Sequence, residues 1–191
     1  MSDLYLLAID IQRDFCPGGS LPVPDGDLVV APWNLLLTEL RGKTRVAVFS
    51  RDFHPRQTTH FATYGGEWPE HCVMGTDGAD FHPGLEVQSQ DVVISKGMRK
   101  NDPGYSAYPG LMNHLVIAAS SQFLVGGLAT DYCVRATVLD LLTGGFSVDL
   151  VRDAIRAVDP TPGGTGEGAL DEMASLGARV VSLEEALAEY R

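Results

Sequence analysis

The sequence predicts an α/β fold of three layers, α/β/α, with a six-stranded parallel sheet inside a single domain spanning 1–191. Two observations carry this. Short apolar runs alternate with amphipathic stretches along the chain, the pattern of strands buried on both faces and joined by crossover helices. The length of 191 residues, with 45% hydrophobic and 20% charged, suits one domain with a sizeable core.

Taken in order, residues 4–9 read as a buried strand that runs into Asp10. Residues 27–41 read as a helix, with Asp27 placed to cap it and Gly42 to stop it. Residues 45–49 form the second strand and 92–95 the third. Residues 111–120 have a helical pattern, 123–126 form the fourth strand, and 131–143 a long helix closed by Gly144 and Gly145. The fifth strand is 146–151, followed by a helix over 165–176 that ends at Gly177. A short sixth strand over 179–182 and a helix over 184–190 finish the chain. The stretch from about 51 to 90 shows no period and is rich in Gly, Pro, His, Asp and aromatics, so it reads as a metal- and substrate-binding loop region within the domain. The Gly-rich stretch 160–168 lacks the Lys-Ser/Thr ending of a phosphate loop and the spacing of a dinucleotide fingerprint, which leaves a turn into a helix.

Composition narrows the partners. A formal charge of −11 argues against nucleic acid, because phosphate attraction needs surplus Lys and Arg. No apolar run reaches the length of a membrane span, and the N-terminus lacks a basic segment followed by an apolar one, so neither a membrane nor secretion is expected. Cys16, Cys72 and Cys133 are sparse, odd in number and never spaced C-x-x-C, a poor disulfide or zinc-knuckle framework that suits the cytoplasm. Composition leaves a small-molecule partner open, and the chain fits a monomer or a homo-oligomer.

Ligands of open parallel sheets bind beyond the carboxyl ends of the strands. Asp10 ends the first predicted strand, Asp52 and His54 follow the second, Lys96 the third and Cys133 the fourth, so one rim collects an acid, a base, a thiol and two ligand types. Gly126 and Gly127 permit a tight exit before Cys133, and Asp131 is placed to cap the helix that follows. A thiol in the first turn feels the positive end of the helix, which favours thiolate, and unpaired N–H groups there can hold an oxyanion. An inert thiol on the core face fits the same position, since free cysteines are commonly buried. Asp10 and Lys96 favour chemistry: a carboxylate near a thiol can serve as its general base, and an ammonium beside both stabilises the thiolate.

Asp52 and His54 stand at i and i+2, on one face of an extended segment, and His60 and His71 follow in the loop region. A carboxylate with two or three imidazoles suits Zn, Mn or Fe(II), with positions left for water or substrate. His82, before Pro83, reads as structural. Phe15, Trp68 and Tyr105 flank these polar groups, where they either wall a flat aromatic substrate or pack the loops.

These residues resemble the nicotinamidase/pyrazinamidase family of isochorismatase-like cysteine hydrolases, which have a Rossmann-like fold, and the resemblance runs nearly end to end. Its marks are Asp10-Ile11-Gln12-Arg13-Asp14-Phe15-Cys16-Pro17-Gly18-Gly19, Ser50-Arg51-Asp52-Phe53-His54-Pro55 and Trp68-Pro69-Glu70-His71-Cys72-Val73-Met74-Gly75-Thr76. They continue with Lys96-Gly97, with Gly127-Leu128-Ala129-Thr130-Asp131-Tyr132-Cys133-Val134, and with Gly166-Glu167-Gly168-Ala169 leading into Glu172-Met173. The resemblance implies that Cys133 is the nucleophile, Asp10 the general base and acid, and Lys96 their charged partner. It implies one divalent metal ion, zinc first with iron or manganese as alternatives, on Asp52, His54 and His71, with His60 a fourth ligand as in some members. It also implies a cis peptide between Leu128 and Ala129, an oxyanion hole from the N–H groups of Ala129 and Cys133, and a ring site of Phe15, Trp68, Tyr105, Leu128 and Ala129. The implied reaction is hydrolysis of nicotinamide to nicotinate and ammonia through a thioester, in NAD salvage, with pyrazinamide as a second substrate.

Three rivals stand against this reading. A related cysteine hydrolase acting on another small amide or carbamoyl compound is opposed by the Asp52/His54/His71 set. An isochorismatase is opposed by the presence of Cys133. A non-catalytic binding protein has no use for a thiol set beside a base.

Overall fold

The computed structural model describes residues 3–191. Six strands, β1 (Leu4–Ile9), β2 (Val46–Asp52), β3 (Val92–Lys96), β4 (Gln122–Leu128), β5 (Ser147–Arg156) and β6 (Arg179–Val181), form one sheet in the order β3-β2-β1-β4-β5-β6, and every pairing is parallel. Helices α1 (Val30–Leu40) and α5 (Leu183–Tyr190) cover one face. Helices α2 (Tyr108–His114), α3 (Arg135–Thr143) and α4 (Thr165–Ser175) cover the other. Three layers and six parallel strands agree with the sequence-based expectation.

The β1 side chains show why the strands read as continuous apolar runs. Leu4, Leu6 and Ala8 pack toward Trp33, Leu36 and Leu37 of α1, while Tyr5, Leu7 and Ile9 pack toward Val138 and Leu141 of α3. With both faces covered, no polar alternation remains to be seen. The chain runs β1, β2, β3 outward on one side, then returns to place β4 against the other edge of β1. This reversal opens a crevice at the carboxyl ends of β1 and β4. The strands leave it closely packed: Gly127 has φ +120°, and a Cβ there would lie 2.0 Å from the Ile9 carbonyl oxygen.

Several boundaries differ from the expectation. The strands β2, β3 and β5 run on through polar residues, to Asp52, Lys96 and Arg156, where the apolar pattern had already ended. Asp27 caps nothing: it lies in a 3-10 turn, Gly26–Val29, that precedes α1. The helix expected over 111–120 is α2, which starts earlier, with Pro109 in its first turn, and ends at His114. The residues after it are extended, with Leu115 and Ile117 partly buried and Val116 exposed, so the apolar residues there follow a strand-like period of two. The chain enters α3 through a π-helical turn, Thr130–Val134. Asp131 does not cap that helix but accepts hydrogen bonds from the Val158 and Asp159 amides and the Thr165 hydroxyl. Among the described residues no helix is long and apolar enough to cross a membrane.

Candidate active site and metal cluster

Asp10 sits just past β1 with φ +48° and is fully buried. Its Oδ1 accepts a hydrogen bond from the Ser50 hydroxyl at 2.7 Å. Lys96, the last residue of β3, brings its ammonium 2.7 Å from Asp10 Oδ2, 2.5 Å from Asp52 Oδ1 and 3.3 Å from Cys133 Sγ. The carboxylate oxygens of Asp10 and Asp52 and the Cys133 sulfur all lie within 4.8 Å of one another. Residues from the ends of three strands and from the turn after a fourth therefore meet at one point, as the sequence led us to expect of Asp10, Asp52, Lys96 and Cys133.

Charge and burial decide the protonation states. Burial pushes the Asp10 carboxyl up and the Asp52 charge adds to this; the Lys96 ammonium opposes them, and the result is about 6. Burial also acts on Asp52, but Lys96 and His54 outweigh it and hold that carboxyl below the usual range. Burial works against the Lys96 charge, but the two carboxylates outweigh it and hold the ammonium well above an ordinary lysine. Burial, with the nearby carboxylates, pushes the Cys133 thiol well up despite Lys96. Desolvation thus works against the helix-end effect that favours thiolate, and it leaves the sulfur a proton for a base such as Asp10 to remove.

The second half of the site lies against Asp52. His54 Nδ1 is 3.0 Å from the Gly97 carbonyl and His71 Nδ1 is 2.7 Å from that of Pro69. A carbonyl only accepts, so both Nδ1 atoms carry hydrogen, and the Nε2 atoms are the ones turned toward Asp52. Those Nε2 atoms lie 3.6 and 4.0 Å from Asp52 Oδ2, and the buried His54 Nε2 has no hydrogen-bond partner. Ring nitrogens of His54, His60 and His71 lie within 4.8 Å of one another. Burial lowers His71 below an ordinary histidine. It also lowers His60, to about 4, with His54 and His71 adding to the effect. Three imidazoles converging beside a carboxylate form a nitrogen and oxygen donor set that fits a divalent metal ion. The fit depends on Gly97, at φ +65°, where a Cβ would lie 2.4 Å from His54 Cε1.

A cleft opens over these groups, lined by the aromatics Phe15, Trp68, Tyr105 and Tyr132, by Ala129, Cys133, Asp52, His60 and His71, and by Leu21, Pro22, Val23 and Val158. The Trp68 indole N–H donates to the Tyr105 hydroxyl at 2.9 Å, and Tyr132 meets Trp68 edge to face at 5.0 Å. Leu128 is not in the wall: strand alternation sends its side chain into the core with Leu124, and only Ala129, across a cis peptide bond, reaches the cleft. Sequence reasoning passed over Tyr132, the Leu21–Val23 rim (21–23) and Val158. It also missed Phe61, whose buried ring packs 5.5 Å from His54 and 5.4 Å from His71. Only adjacency to Cys133 could have singled out Tyr132.

A doubly wound parallel sheet with a buried thiol, carboxylate and ammonium at its switch point, beside a donor cluster that could hold a cation, is the frame of an α/β enzyme. The chain belongs to the isochorismatase domain family, whose model, described as "Isochorismatase domain", matches residues 5–185. It is 34% identical to a nicotinamidase of Escherichia coli (strain K12), over 94% of this chain and 95% of that one. Among solved structures it is similar to the pyrazinamidase of Pyrococcus horikoshii in complex with zinc (38% identity, TM-score 0.85, covering 94% of this chain and 99% of that one). It is also similar to PnC1 of L. infantum in complex with nicotinate (32% identity, TM-score 0.85, covering 96% and 94%).

Proposed function

We propose that this chain is a nicotinamidase, a metal-dependent cysteine amidohydrolase that converts nicotinamide to nicotinate and ammonia in NAD salvage, in the cytoplasm, with pyrazinamide as a second substrate. The observation that carries this is the Lys96 ammonium, which touches Asp10, Asp52 and Cys133 and so ties a base and a thiol to the ligand cluster. The similarity to nicotinamidases and to a pyrazinamidase over nearly the whole chain supports the same substrate class.

Asp52, His54 and His71 would hold the metal, with His60 completing the set, and zinc is our choice from a chain 38% identical that is described with zinc. When bound, such an ion would supply Lewis acidity toward the substrate's ring nitrogen. The remaining steps belong to the protein. Phe15, Trp68 and Tyr105 flank the ring. Asp10 takes the Cys133 proton as the sulfur adds to the carboxamide carbon, with Lys96 stabilising the developing thiolate. The N–H groups of Ala129 and Cys133 hold the oxyanion. Protonated Asp10 gives its proton to the departing ammonia, and the nicotinoyl group remains on Cys133 as a thioester. Asp10 then takes a proton from water, whose oxygen attacks the thioester; the sulfur departs, recovers that proton from Asp10, and nicotinate is released.

The test is ammonia release from nicotinamide, measured on one sample before metal removal, after it, and after zinc is restored. Activity that falls on removal and returns with zinc is expected. Activity on a different amide alone would give the site to another cysteine hydrolase, and activity unchanged by complete metal removal would remove the ion from the reaction.

The state of Asp10 sets the pH dependence. Its base form is needed, and its carboxyl titrates at about 6, so kcat/KM should rise with pH through that value and level off above it. A profile with its acid limb near 4, where an unperturbed carboxyl titrates, would separate Asp10 from the rate.

A further inference from the structure

Two buried polar side chains in the segment that leaves β1, Gln12 and Asp14, have no part in the chemistry above. Gln12 spends both ends of its amide on the main chain of one residue: Nε2 donates to the Asp52 carbonyl at 2.8 Å, and Oε1 accepts from the Asp52 N–H at 2.8 Å. The same Nε2 donates to the Ala79 carbonyl at 2.9 Å. Gripping both backbone groups of Asp52, where β2 ends, fixes the direction in which its carboxylate leaves the chain. Asp14 does the corresponding work on the other ligand segment. Its Oδ2 accepts from the Cys72 N–H at 2.7 Å and its Oδ1 from the Ser20 N–H at 3.1 Å. Cys72 adjoins His71 and has φ +45°, a left-handed conformation that a side chain other than glycine rarely adopts without support. The two ligand segments are also stitched together, His54 N–H to Cys72 O at 2.9 Å and Met74 N–H to His54 O at 2.8 Å.

We propose that Gln12 and Asp14 are positioning residues for the metal site, a two-point clamp that sets the spacing of Asp52, His54 and His71 through the main chain at Asp52 and Cys72. The inference rests on the reading that those three residues hold a divalent cation. Partners outside the ligand shell that orient ligands are commonly worth about 10- to 100-fold in metal affinity. The clamp explains why a buried glutamine and a buried aspartate occur together on one short segment that also carries Asp10 and Phe15.

The experiment titrates zinc into metal-free protein in competition with a chromophoric chelator and records the metal-free Tm of each variant. Gln12→Met keeps the volume and loses the hydrogen bonds; Asp14→Ala removes the second grip; Asp14→Asn keeps one oxygen for the Cys72 N–H. Met173→Ala, a core truncation on the α4 face, is the control for general loss of stability. Gln12→Met and Asp14→Ala should each weaken zinc binding about tenfold or more. Asp14→Asn should recover most of that loss, and Met173→Ala should bind zinc within twofold of wild type while melting lower. Should Asp14→Ala fail to fold, Gln12→Met and Asp14→Asn carry the comparison. Wild-type zinc affinity in Gln12→Met, or an equal loss in Met173→Ala, would overturn the clamp. Wild-type protein that takes up no zinc would instead overturn the metal reading beneath it.

Discussion

Replacing Cys133 with alanine should lower nicotinamide hydrolysis by on the order of 10⁴-fold or more while the protein stays folded and still takes up zinc. The size follows from the role: without the sulfur no thioester forms, and what remains is water attacking a bound amide. The fold should tolerate the change because Cys133 lines the cleft, and because Lys96 keeps both carboxylate partners when the sulfur is gone. A change in stability within about 1 kcal/mol is expected, as for a substitution that leaves no buried charge unpaired. Ammonia release, the thermal melt and zinc content on the same preparation check all three parts. Substantial residual turnover by Cys133→Ala would mean that water, not sulfur, attacks the amide.

Lys96→Met is expected to damage both rate and stability. The substitution roughly preserves the side chain's shape and deletes the one positive charge between two buried carboxylates. Removing one partner from a buried ion pair typically costs about 3–5 kcal/mol, which in a chain of this size lowers Tm by roughly 6–20 °C. Part of that cost is escaped by protonation. Asp10, already raised to about 6 with Lys96 opposing the shift, moves higher once that opposition is gone. At pH 7 it is then mostly an acid, so a general base worth about 10²–10⁴-fold is lost along with the charge that stabilises the thiolate. The sign of the pH dependence separates this account from simple unfolding. Raising the pH should restore part of kcat/KM in Lys96→Met, whereas the wild type has already levelled off. A variant with wild-type Tm and an unshifted acid limb would show that Lys96 does not govern Asp10.

How much of this was legible in the sequence depends on the kind of element. The sheet was readable because its strands are buried on both faces, and Asp10, Lys96 and Cys133 were readable because a parallel sheet gathers the residues that follow its strands. The strand ends themselves were underestimated, since Ser50, Arg51, Asp52 and Lys96 continue the ladder while breaking the apolar run. The loop region from 51 to 90 holds His60, Phe61 and His71 at positions set by tertiary contacts, with no period to announce which side chains meet. Gln12 and Asp14 stood in a recognisable motif, but their work was hidden for the same reason: their partners lie 40 and 58 residues away. The helix-start position of Cys133 was legible because it is local, whereas its burial among carboxylates, which pushes the thiol up, is not. The Leu128–Ala129 cis bond was expected only through resemblance, and nothing in that dipeptide alone asks for it.

In the proposed reaction the Cys133 sulfur becomes acylated. Metal-loaded enzyme mixed with nicotinamide, quenched in acid within a turnover and digested for mass spectrometry, tests it most directly. A nicotinoyl group on the peptide containing Cys133, rising and decaying at rates that match ammonia release, is the predicted result. Ammonia released at full rate while Cys133 stays unmodified, including under conditions that slow thioester hydrolysis, would contradict it.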